Sequence, residues 1–330
     1  MKQYTVKNPL RWGMIGCGKV TEVKSAPAYG LVPGFERYGV MARSLDRAKA
    51  YAQRHGWPFF TDRADELINH PEIDAVYIAT PPDSHLRYAL MVAEAGKPCC
   101  LEKPMAPTYA ESLEIHTAFE RRNVPLFVAY YRRSLPRFLQ IREWLQEGRI
   151  GTVRHISWHK ARSASPEDRS GAPNWRTDAQ VAPGGYFDDL ASHGLDLFTF
   201  LLGDMEAAVG LATNQQGLYT AHDAVTGSWI HKSGATGSGS WVFGADAAQD
   251  RVTIIGDKGQ IHFSVLEEKP IELCTATHQE SLTIAHPEHV HQYHVAQMDG
   301  HLRGGETHPS TGATALHTSW AMDRILGKNV

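Results

Sequence analysis

Short apolar runs alternate with amphipathic stretches over the first part of the chain. The apolar runs that predict buried strands lie at 11–15, 36–42, 74–80, 99–102 and 125–130. Between them, apolar residues recur at helical spacing over 45–55, 84–95 and 115–121. Because parallel strands need crossover helices, this alternation predicts an α/β fold with a parallel doubly wound sheet.

The pattern changes after residue 133, where strand candidates dominate. They lie at 153–160, 207–213, 224–231, 237–243, 251–256 and 259–265. Helices are predicted at 138–147, 185–202 and 311–326. We therefore predict two domains: 1–132 with the parallel sheet, and 133–330 as an α+β domain with a large open, mostly antiparallel sheet. The C-terminal helix is free to pack back on the first domain.

A glycine-rich segment, GCGKVT at 16–21, follows the first predicted strand and precedes a helix. Gly16 permits a tight turn, and Gly18 lets the backbone approach a pyrophosphate at the helix N-terminus. Thr21 replaces the third small residue of the usual dinucleotide-binding pattern. An ordinary strand-to-helix turn remains the alternative interpretation of the segment.

The end of the second predicted strand carries a cation and a hydroxyl. Arg43 and Ser44 stand there, with Arg47 in the next helical turn. An acidic residue at this place would bind the ribose 2′-hydroxyl of NAD, whereas a cation and a hydroxyl suit the 2′-phosphate of NADP. The pattern favours NADP, with NAD possible. Solvated charges at a helix start are the structural alternative.

Polar residues follow three predicted strands, at the edge where doubly wound sheets bind ligands. They are Thr80, Glu102 and Tyr130. Glu102 opens the tripeptide Glu-Lys-Pro, so Lys103 is predicted to stand between cofactor and substrate.

Asp189 and His193 lie four residues apart and therefore share one face of the helix predicted at 185–202. Oxidation of an alcohol requires a proton acceptor for the hydroxyl, which a neutral histidine supplies, and an aspartate can orient that histidine or the substrate. Lys103 is a candidate for polarising the same oxygen. A buried structural histidine is the alternative for His193.

Composition excludes several classes of protein. The 330 residues are 42% hydrophobic and 21% charged with a net charge of −3, so no strong field recruits nucleic acid or an anionic membrane. No apolar run approaches the roughly 20 residues that span a bilayer, and 1–10 lacks an apolar signal core. The 4 cysteines form no CxxC pair, which favours buried thiols and a cytoplasmic protein.

Five histidines near the C-terminal end invite a metal hypothesis. They are His286, His289, His291, His294 and His301. No pattern places a third ligand beside the HxxH spacing at 291–294, so we predict histidines on a helix surface and no metal site.

At these motifs the chain resembles the glucose–fructose oxidoreductase, inositol dehydrogenase and MocA (Gfo/Idh/MocA) family of dehydrogenases. The matching segments are GCG at 16–18, ATPP at 79–82 with His85, GKP at 96–98, EKP at 102–104, WR at 175–176, and Asp189 with His193 and Asp196. They occur in family order over about the first two thirds of the chain.

The resemblance implies a Rossmann domain, a second domain for substrate binding and oligomerisation, and an active site in the cleft between them. It implies Lys103 and His193 as catalytic residues assisted by Asp189, and a Lys103–Pro104 bond that is often cis. The residues expected at the cofactor are Gly16, Gly18, Lys19, Val20, Arg43, Ser44, Arg47, Thr80, Pro81, His85, Glu102, Lys103, Trp175 and Arg176. Those expected at the substrate are Lys103, Tyr130, Tyr131, Arg132, Trp175, Arg176, Asp189 and His193.

Family members act mostly on sugars, cyclitols and their derivatives, so the resemblance implies a sugar or polyol substrate. It also implies a homodimer or homotetramer formed through the C-terminal sheet. Tyrosine and tryptophan rings suit the apolar face of a sugar, and arginine and aspartate suit its hydroxyls. The alternative for Tyr130 and Tyr131 is a place in the core or on the surface.

The sequence is interpreted as an NADP(H)-dependent oxidoreductase that transfers a hydride between nicotinamide and an alcohol or carbonyl, with Lys103 and His193 handling the proton. One alternative is an NAD-using, non-redox glycosidase or epimerase on the same scaffold. Another is a non-catalytic regulator that binds the cofactor.

Overall fold

The computed structural model describes residues 7–328, and its first sheet confirms the predicted doubly wound fold. Its parallel strands are β1 (Leu10–Ile15), β2 (Phe35–Met41), β3 (Phe59–Thr61), β4 (Ala75–Ile78), β5 (Cys99–Leu101) and β6 (Leu126–Val128). Their order, β3-β2-β1-β4-β5-β6, reverses between β1 and β4. Ligands of such sheets bind outside the carboxyl ends of the strands at that reversal.

Helices connect these strands. They are α1 (Lys19–Val23), α2 (Ala26–Tyr29), α3 (Leu45–His55), α4 (Ala64–Ile68), α5 (His85–Glu94) and α6 (Tyr109–Arg122). Helix α3 has the predicted bounds because both of its ends carry sequence signals. The Ser44 side chain accepts a hydrogen bond from the Arg47 N–H at its start, and Gly56, with φ of 70°, ends it in the left-handed conformation.

The second sheet is mostly antiparallel, as predicted. Its strands are β7 (Val153–Ala161), β8 (Met205–Thr213), β9 (Ala224–His231), β10 (Thr236–Val242), β11 (Gln249–Gly256), β12 (Gly259–Phe263), β13 (Ile271–Thr275) and β14 (Gln279–Leu282). Their order is β14-β13-β12-β11-β7-β10-β9-β8, and only β7 and β10 pair in parallel among these neighbours. Burial alternates along β9, so one face of the sheet is buried and the other is exposed.

Three helices precede or cover this sheet: α7 (Pro136–Gln146), α8 (Pro166–Ser170) and α9 (Tyr186–Leu202). Helix α9 packs on the sheet at Gly194, where any side chain would overlap the ring of Trp158. The Trp158 ring in turn makes edge contacts with Phe198 at 5.7 Å and Trp241 at 5.6 Å between ring centroids. These aromatic contacts hold α9, and the polar side chains on it, in a fixed place on the sheet.

The chain forms two compact units, and each is built from segments that are not contiguous in the sequence. One unit comprises Met1–Ala106, Ala110–Ser134 and Pro287–Leu316, and the other comprises Pro107–Tyr109, Leu135–His286 and His317–Val330. The return segment 287–316 contains α10 (Gln292–Leu302) and the start of α11 (Gly312–Ile325). The predicted division was a single cut after residue 132, whereas the first unit also contains this late segment.

Three predictions from composition concern the N-terminal segment, membrane-spanning helices and the cysteines. Residues 1–6, part of the segment expected to lack a signal core, lie outside the described residues. Among residues 7–328, no helix combines the length and the apolar character that crossing a bilayer requires. The four cysteines are free thiols, but Cys17 and Cys274 are half-buried rather than buried.

Candidate active site

The glycine-rich turn stands at the carboxyl end of β1, beside the reversal of strand order. Gly16 has φ of 110°, and a Cβ there would come within 2.6 Å of the Ala79 carbonyl oxygen, so only glycine suits the position. A Cβ on Gly18 would meet no atom within 4 Å. Open space beside the Gly18 backbone at the start of α1 fits a dinucleotide pyrophosphate.

Thr21 stands where the usual dinucleotide-binding pattern has a small residue, and its contacts show how the turn accommodates it. Its side chain is buried and its hydroxyl donates to the Gly18 carbonyl at 2.8 Å. Its own carbonyl accepts from the Tyr51 hydroxyl at 2.8 Å, which ties α1 to α3. The threonine therefore faces the protein interior with its polar atoms satisfied, and it leaves the Gly16–Gly18 turn unobstructed.

The residues predicted to bind a 2′-phosphate follow β2 and are exposed. Arg43, Ser44 and Arg47 all face solvent. Arg47 also reaches the glycine-rich turn, because its Nη2 donates to the Cys17 carbonyl at 3.4 Å. Lys19, expected at the same cofactor, is exposed at the start of α1, and Val20 beside it is half-buried. Burial raises the pKa of the Cys17 thiol to about 11, so that thiol is neutral at physiological pH.

Lys103 follows β5 in a turn that its neighbours hold in place. The Lys103–Pro104 peptide bond is cis, as the family resemblance implied. Glu102 is buried, and the Tyr77 hydroxyl donates to its Oε1 at 2.6 Å. Lys103 itself is half-buried, so its side chain reaches solvent beside the carboxyl ends of the strands.

His85, the first residue of α5, braces this turn. It is fully buried, with Nδ1 at 3.1 Å from the Pro104 carbonyl oxygen and Nε2 at 2.9 Å from the Thr80 carbonyl oxygen. Burial lowers its pKa, and the carbonyl contacts partly oppose that shift. Its position holds the turns after β4 and β5 together, and its contact with the cofactor stays a prediction. Pro81, expected at the cofactor, is exposed beside Thr80.

The predicted position of His291 is wrong. It was predicted on a helix surface, but it is buried, with Nε2 at 3.8 Å from Glu102 Oε1 and its ring 4.6 Å from that of Tyr131. Burial lowers the pKa of His291 to about 3, and the charges of Lys103, Lys24 and Arg132 add to the shift. A neutral imidazole therefore contributes to the surroundings of Glu102 and Lys103.

His294 is buried too, against the same prediction. Its Nε2 lies 3.8 Å from the Cys100 thiol, and its ring centroid is 4.6 Å from that of His308. The physical reason is the apolar stripe of α10, since Val295, Met298 and Leu302 are buried and carry the adjacent histidines inward. Within residues 7–328, no group of three or more metal-ligating side chains could hold a metal ion.

The substrate candidates after β6 differ from one another. Tyr130 is 1% exposed and belongs to a hydrophobic core cluster, which favours the alternative that places it in the core over stacking on a sugar. Tyr131 is half-buried, and the guanidinium of the buried Arg132 lies 4.9 Å from its ring centroid. Tyr131 thus remains the candidate aromatic surface of the first unit.

In the second unit, α9 carries the predicted Asp189 and His193, both buried and one turn apart. The Nε of Arg176 donates to Asp189 Oδ2 at 2.5 Å. The same guanidinium lies 4.4 Å from the ring centroid of Trp175. Four of the predicted site residues are therefore brought together here, and the ion pair fixes the Arg176 guanidinium beside Asp189.

Asp188 differs sharply from its neighbour Asp189. It is fully buried, and its Oδ2 accepts a hydrogen bond from the Gly184 N–H at 2.9 Å. Burial raises the pKa of Asp188 to about 7, and Asp323 and Asp189 raise it further against the opposing charge of Lys328. One turn of helix thus presents a carboxylate paired with Arg176 beside a carboxyl that titrates near neutrality.

Comparisons with known proteins agree with these two units. Residues 10–130 match the family described as "Oxidoreductase family, NAD-binding Rossmann fold", and residues 138–262 match the "GFO/IDH/MocA C-terminal domain". Oxidoreductase P35 of Formosa agariphila is 36% identical over 98% of this chain and 100% of its own length.

Two further relatives have more specific names. The 1,5-anhydro-D-fructose reductase of Ensifer adhaerens is 26% identical, over 94% of this chain and 93% of its own. A solved levoglucosan dehydrogenase in complex with NADH and levoglucosan has a TM-score of 0.82 at 24% identity, covering 96% of both chains. The similarity to the levoglucosan dehydrogenase structure shows a shared fold.

Proposed function

Since the chain belongs to the Gfo/Idh/MocA family of oxidoreductases, we propose that it transfers a hydride between NADP(H) and an alcohol or carbonyl carbon of a sugar, polyol or cyclitol. The observation that carries this proposal is the Lys103 turn, which Glu102 and His85 brace at the carboxyl end of β5. The named activities of the anhydrofructose reductase and levoglucosan dehydrogenase support a sugar-like substrate.

The first unit supplies the residues for the dinucleotide. The backbone of Gly16 and Gly18 would hold the pyrophosphate, and Arg43 with Ser44 and Arg47 would hold a 2′-phosphate. When bound, the nicotinamide accepts or donates the hydride. A guanidinium is suited to a phosphate dianion because it offers parallel N–H donors.

The proton is handled by this chain's own side chains. In the oxidation direction, His193 takes the hydroxyl proton of the substrate at an imidazole nitrogen while the carbon gives up its hydride. The Lys103 ammonium hydrogen-bonds the same oxygen and stabilises the negative charge that develops there. Asp189, paired with Arg176, orients the substrate hydroxyls beside His193.

Quaternary structure and location belong to the same proposal. We place a homodimer or homotetramer interface on the outer face of the second sheet, with the enzyme in the cytoplasm. That face exposes large apolar side chains on neighbouring strands, among them Val209 at 58%, Leu211 at 79% and Ile230 at 44% exposure. Apolar side chains in such numbers on one sheet favour burial by another protein surface.

A panel assay tests the proposal. Sugars and cyclitols, including levoglucosan, are incubated with NADP+ or NAD+, and 1,5-anhydro-D-fructose with NADPH, while nicotinamide absorbance and product are both measured. We expect one nicotinamide reduced or oxidised for each product molecule, with NADP(H) preferred. Product without net change of nicotinamide would instead identify a non-redox enzyme, and cofactor binding without any product would identify a regulator.

A further inference from the structure

We propose that Asn174 and Tyr186 are positioning residues that hold the turn carrying Trp175 and Arg176 in the one orientation that presents Arg176 to Asp189 and to a polyol. This inference deepens the proposed function and rests on it for its substrate class. The residues concerned all belong to the second unit.

The side chain of Asn174 connects the turn to α9. Its Oδ1 accepts a hydrogen bond from the Arg176 N–H at 3.1 Å, which caps the 3-10 turn Trp175–Thr177. Its Nδ2 donates to the Tyr186 hydroxyl oxygen at 3.1 Å. One amide group therefore fixes the backbone of Arg176 and attaches it to the first turn of the helix.

The orientation of that amide is set by Tyr186 and Asp168. The Tyr186 hydroxyl has a single proton, which it donates to Asp168 Oδ1 at 2.5 Å. Its oxygen is then an acceptor toward Asn174, so the amide must present its N–H groups to Tyr186 and its oxygen to Arg176. The Arg176 N–H requires the same orientation, because it can only donate and needs the amide oxygen as its acceptor.

Asp168 is a firm anchor for this chain of hydrogen bonds. It is buried, and its Oδ2 accepts from the Ser165 N–H at 2.8 Å and from Arg162 Nη2 at 2.7 Å. The Arg162 guanidinium also lies 3.9 Å from the ring centroid of Tyr186. These bonds lower the pKa of Asp168 despite its burial, so the acceptor for Tyr186 remains an anion.

The turn is attached to α9 at two points. Tyr186 binds Asn174, and Asp189, three residues further along the same helix, binds the side chain of Arg176 at 2.5 Å. Two attachments to one rigid helix fix both the position and the orientation of the intervening residues. A guanidinium has five N–H donors, and the Nε–H is directed to Asp189, so an oriented Arg176 can also address neighbouring hydroxyls of a polyol.

Two matched tyrosine variants test the inference. Tyr186→Phe removes the hydroxyl in this chain. Tyr219→Phe removes a hydroxyl from the same aromatic cluster, with ring centroids 6.2 Å apart, and that hydroxyl makes no hydrogen bond to a described residue. Asn174→Asp keeps the capping oxygen but removes the donor to Tyr186, so it supplies a second route to the same loss.

The readouts are hydrogen exchange of the peptide that covers 171–180, KM and kcat for levoglucosan with NADP+, and the Kd of NADP+. For Tyr186→Phe and Asn174→Asp we expect the hydrogen-exchange rate of this peptide and the KM to rise about tenfold. That is the effect expected when one hydrogen bond in a charged network is lost. We expect kcat within about threefold and an unchanged Kd, because the interaction is lost equally in ground and transition states. Their double variant should be no worse than either alone, and Tyr219→Phe should match the wild type.

Unchanged exchange in Tyr186→Phe, or equal effects of the two phenylalanine variants, would overturn the inference. A tenfold loss in kcat with KM unchanged would overturn it as well, since that would indicate a catalytic rather than a positioning role. If the wild-type enzyme does not oxidise levoglucosan, that part of the proposed function fails, while the exchange rates alone still decide whether Asn174 and Tyr186 hold the turn.

Discussion

At the scale of single residues, the same side chain often carries both a structural and a chemical explanation. Ser44 caps α3, so its predicted contact with a 2′-phosphate cannot be tested by its removal without loss of helix stability, typically about 1 kcal/mol. Arg43 is exposed at the neighbouring position and is not the capping residue. It is therefore the better position at which to test cofactor choice.

For Arg43→Ala we expect the Kd of NADP+ to rise at least tenfold, because a charge-assisted hydrogen bond to the phosphate is lost, and the Kd of NAD+ to change less than threefold. Lys49→Ala removes an exposed positive charge from the same helix and serves as the control. Titration of cofactor fluorescence measures both constants. Tighter binding of NAD+ than NADP+ by the wild-type protein, or equal weakening of both by Arg43→Ala, would contradict the assignment.

Residue identity indicates site candidates where the motif is local. Lys103, Asp189 and Arg176 are candidates because short patterns carry them. His291 and Asn174 were not found, because their partners Glu102 and Tyr186 lie far off or carry no pattern of their own. A buried histidine is particularly hard to recognise, since its surroundings and not its type decide whether it is buried.

At the scale of elements, α9 shows how packing positions the site. Predicted from its period at 185–202, the helix runs from Tyr186 to Leu202. Its close approach to the sheet depends on Gly194, which faces Trp158 directly after His193. The contact of Gly194 with the Trp158 ring, which involves no polar group of the site, therefore determines where α9 places His193 and Asp189.

We expect Gly194→Ala to lower the free energy of unfolding by about 1–3 kcal/mol, because the added methyl group overlaps the buried Trp158 ring. It should also lower kcat/KM, because α9 must shift. Gly300→Ala in α10 is the matched control: its Cβ would meet no atom within 4 Å, so helix propensity should stabilise the protein slightly. Thermal unfolding followed by circular dichroism measures both, and a stable, fully active Gly194→Ala would show that this contact is not tight.

Elements with strong periodicity were predicted, but β3 and α4 were not. They have three and five residues, too few for a period to emerge, whereas the equally short β5 and β6 were predicted from continuous apolar runs. Strands β13 and β14 were also not predicted: β13 alternates only over 271–273, and β14 has no buried residue and therefore no apolar alternation. For α10 only a helix surface with histidines was predicted, without bounds, although Val295, Met298 and Leu302 repeat at helical spacing and form its buried side.

At the scale of the whole molecule, the two units carry buried groups of opposite acid–base character. The pKa of His291 falls from 6.5 to about 3 and that of His308 to about 4, both chiefly through burial in the first unit. The pKa of Asp188 in the second unit rises from 3.8 to about 7, chiefly through burial. Both types of group are held in the neutral form by the fold.

The two units should therefore respond to pH in opposite directions. Stability from the neutral histidines is complete above pH 6.5 and is lost as pH falls toward 4 and 3. Stability from neutral Asp188 is complete below about pH 4 and is lost as pH rises through 7. Native-state hydrogen exchange, corrected for intrinsic rates, reports each unit separately.

Two variants isolate these contributions. His291→Gln should reduce the acid dependence of segment 287–316, where His308 still titrates, and Asp188→Asn should flatten the alkaline dependence of the segment around 184–202, since each removes a titrating group. The amide oxygen introduced by Asp188→Asn would keep an acceptor for the Gly184 N–H. Protection that falls in both units at the same end of the pH range, or that the variants leave unaltered, would contradict this explanation.

The central proposal is that Lys103 and His193 act on the same substrate oxygen. The most direct test is a double-mutant cycle in kcat/KM for the best panel substrate, with Lys103→Ala, His193→Ala and their combination. We expect each single variant to lose about 10²- to 10⁴-fold, with cofactor Kd within about tenfold, and the combination to lose little more than the worse single variant. Losses that multiply, or either single variant near wild-type activity, would contradict it.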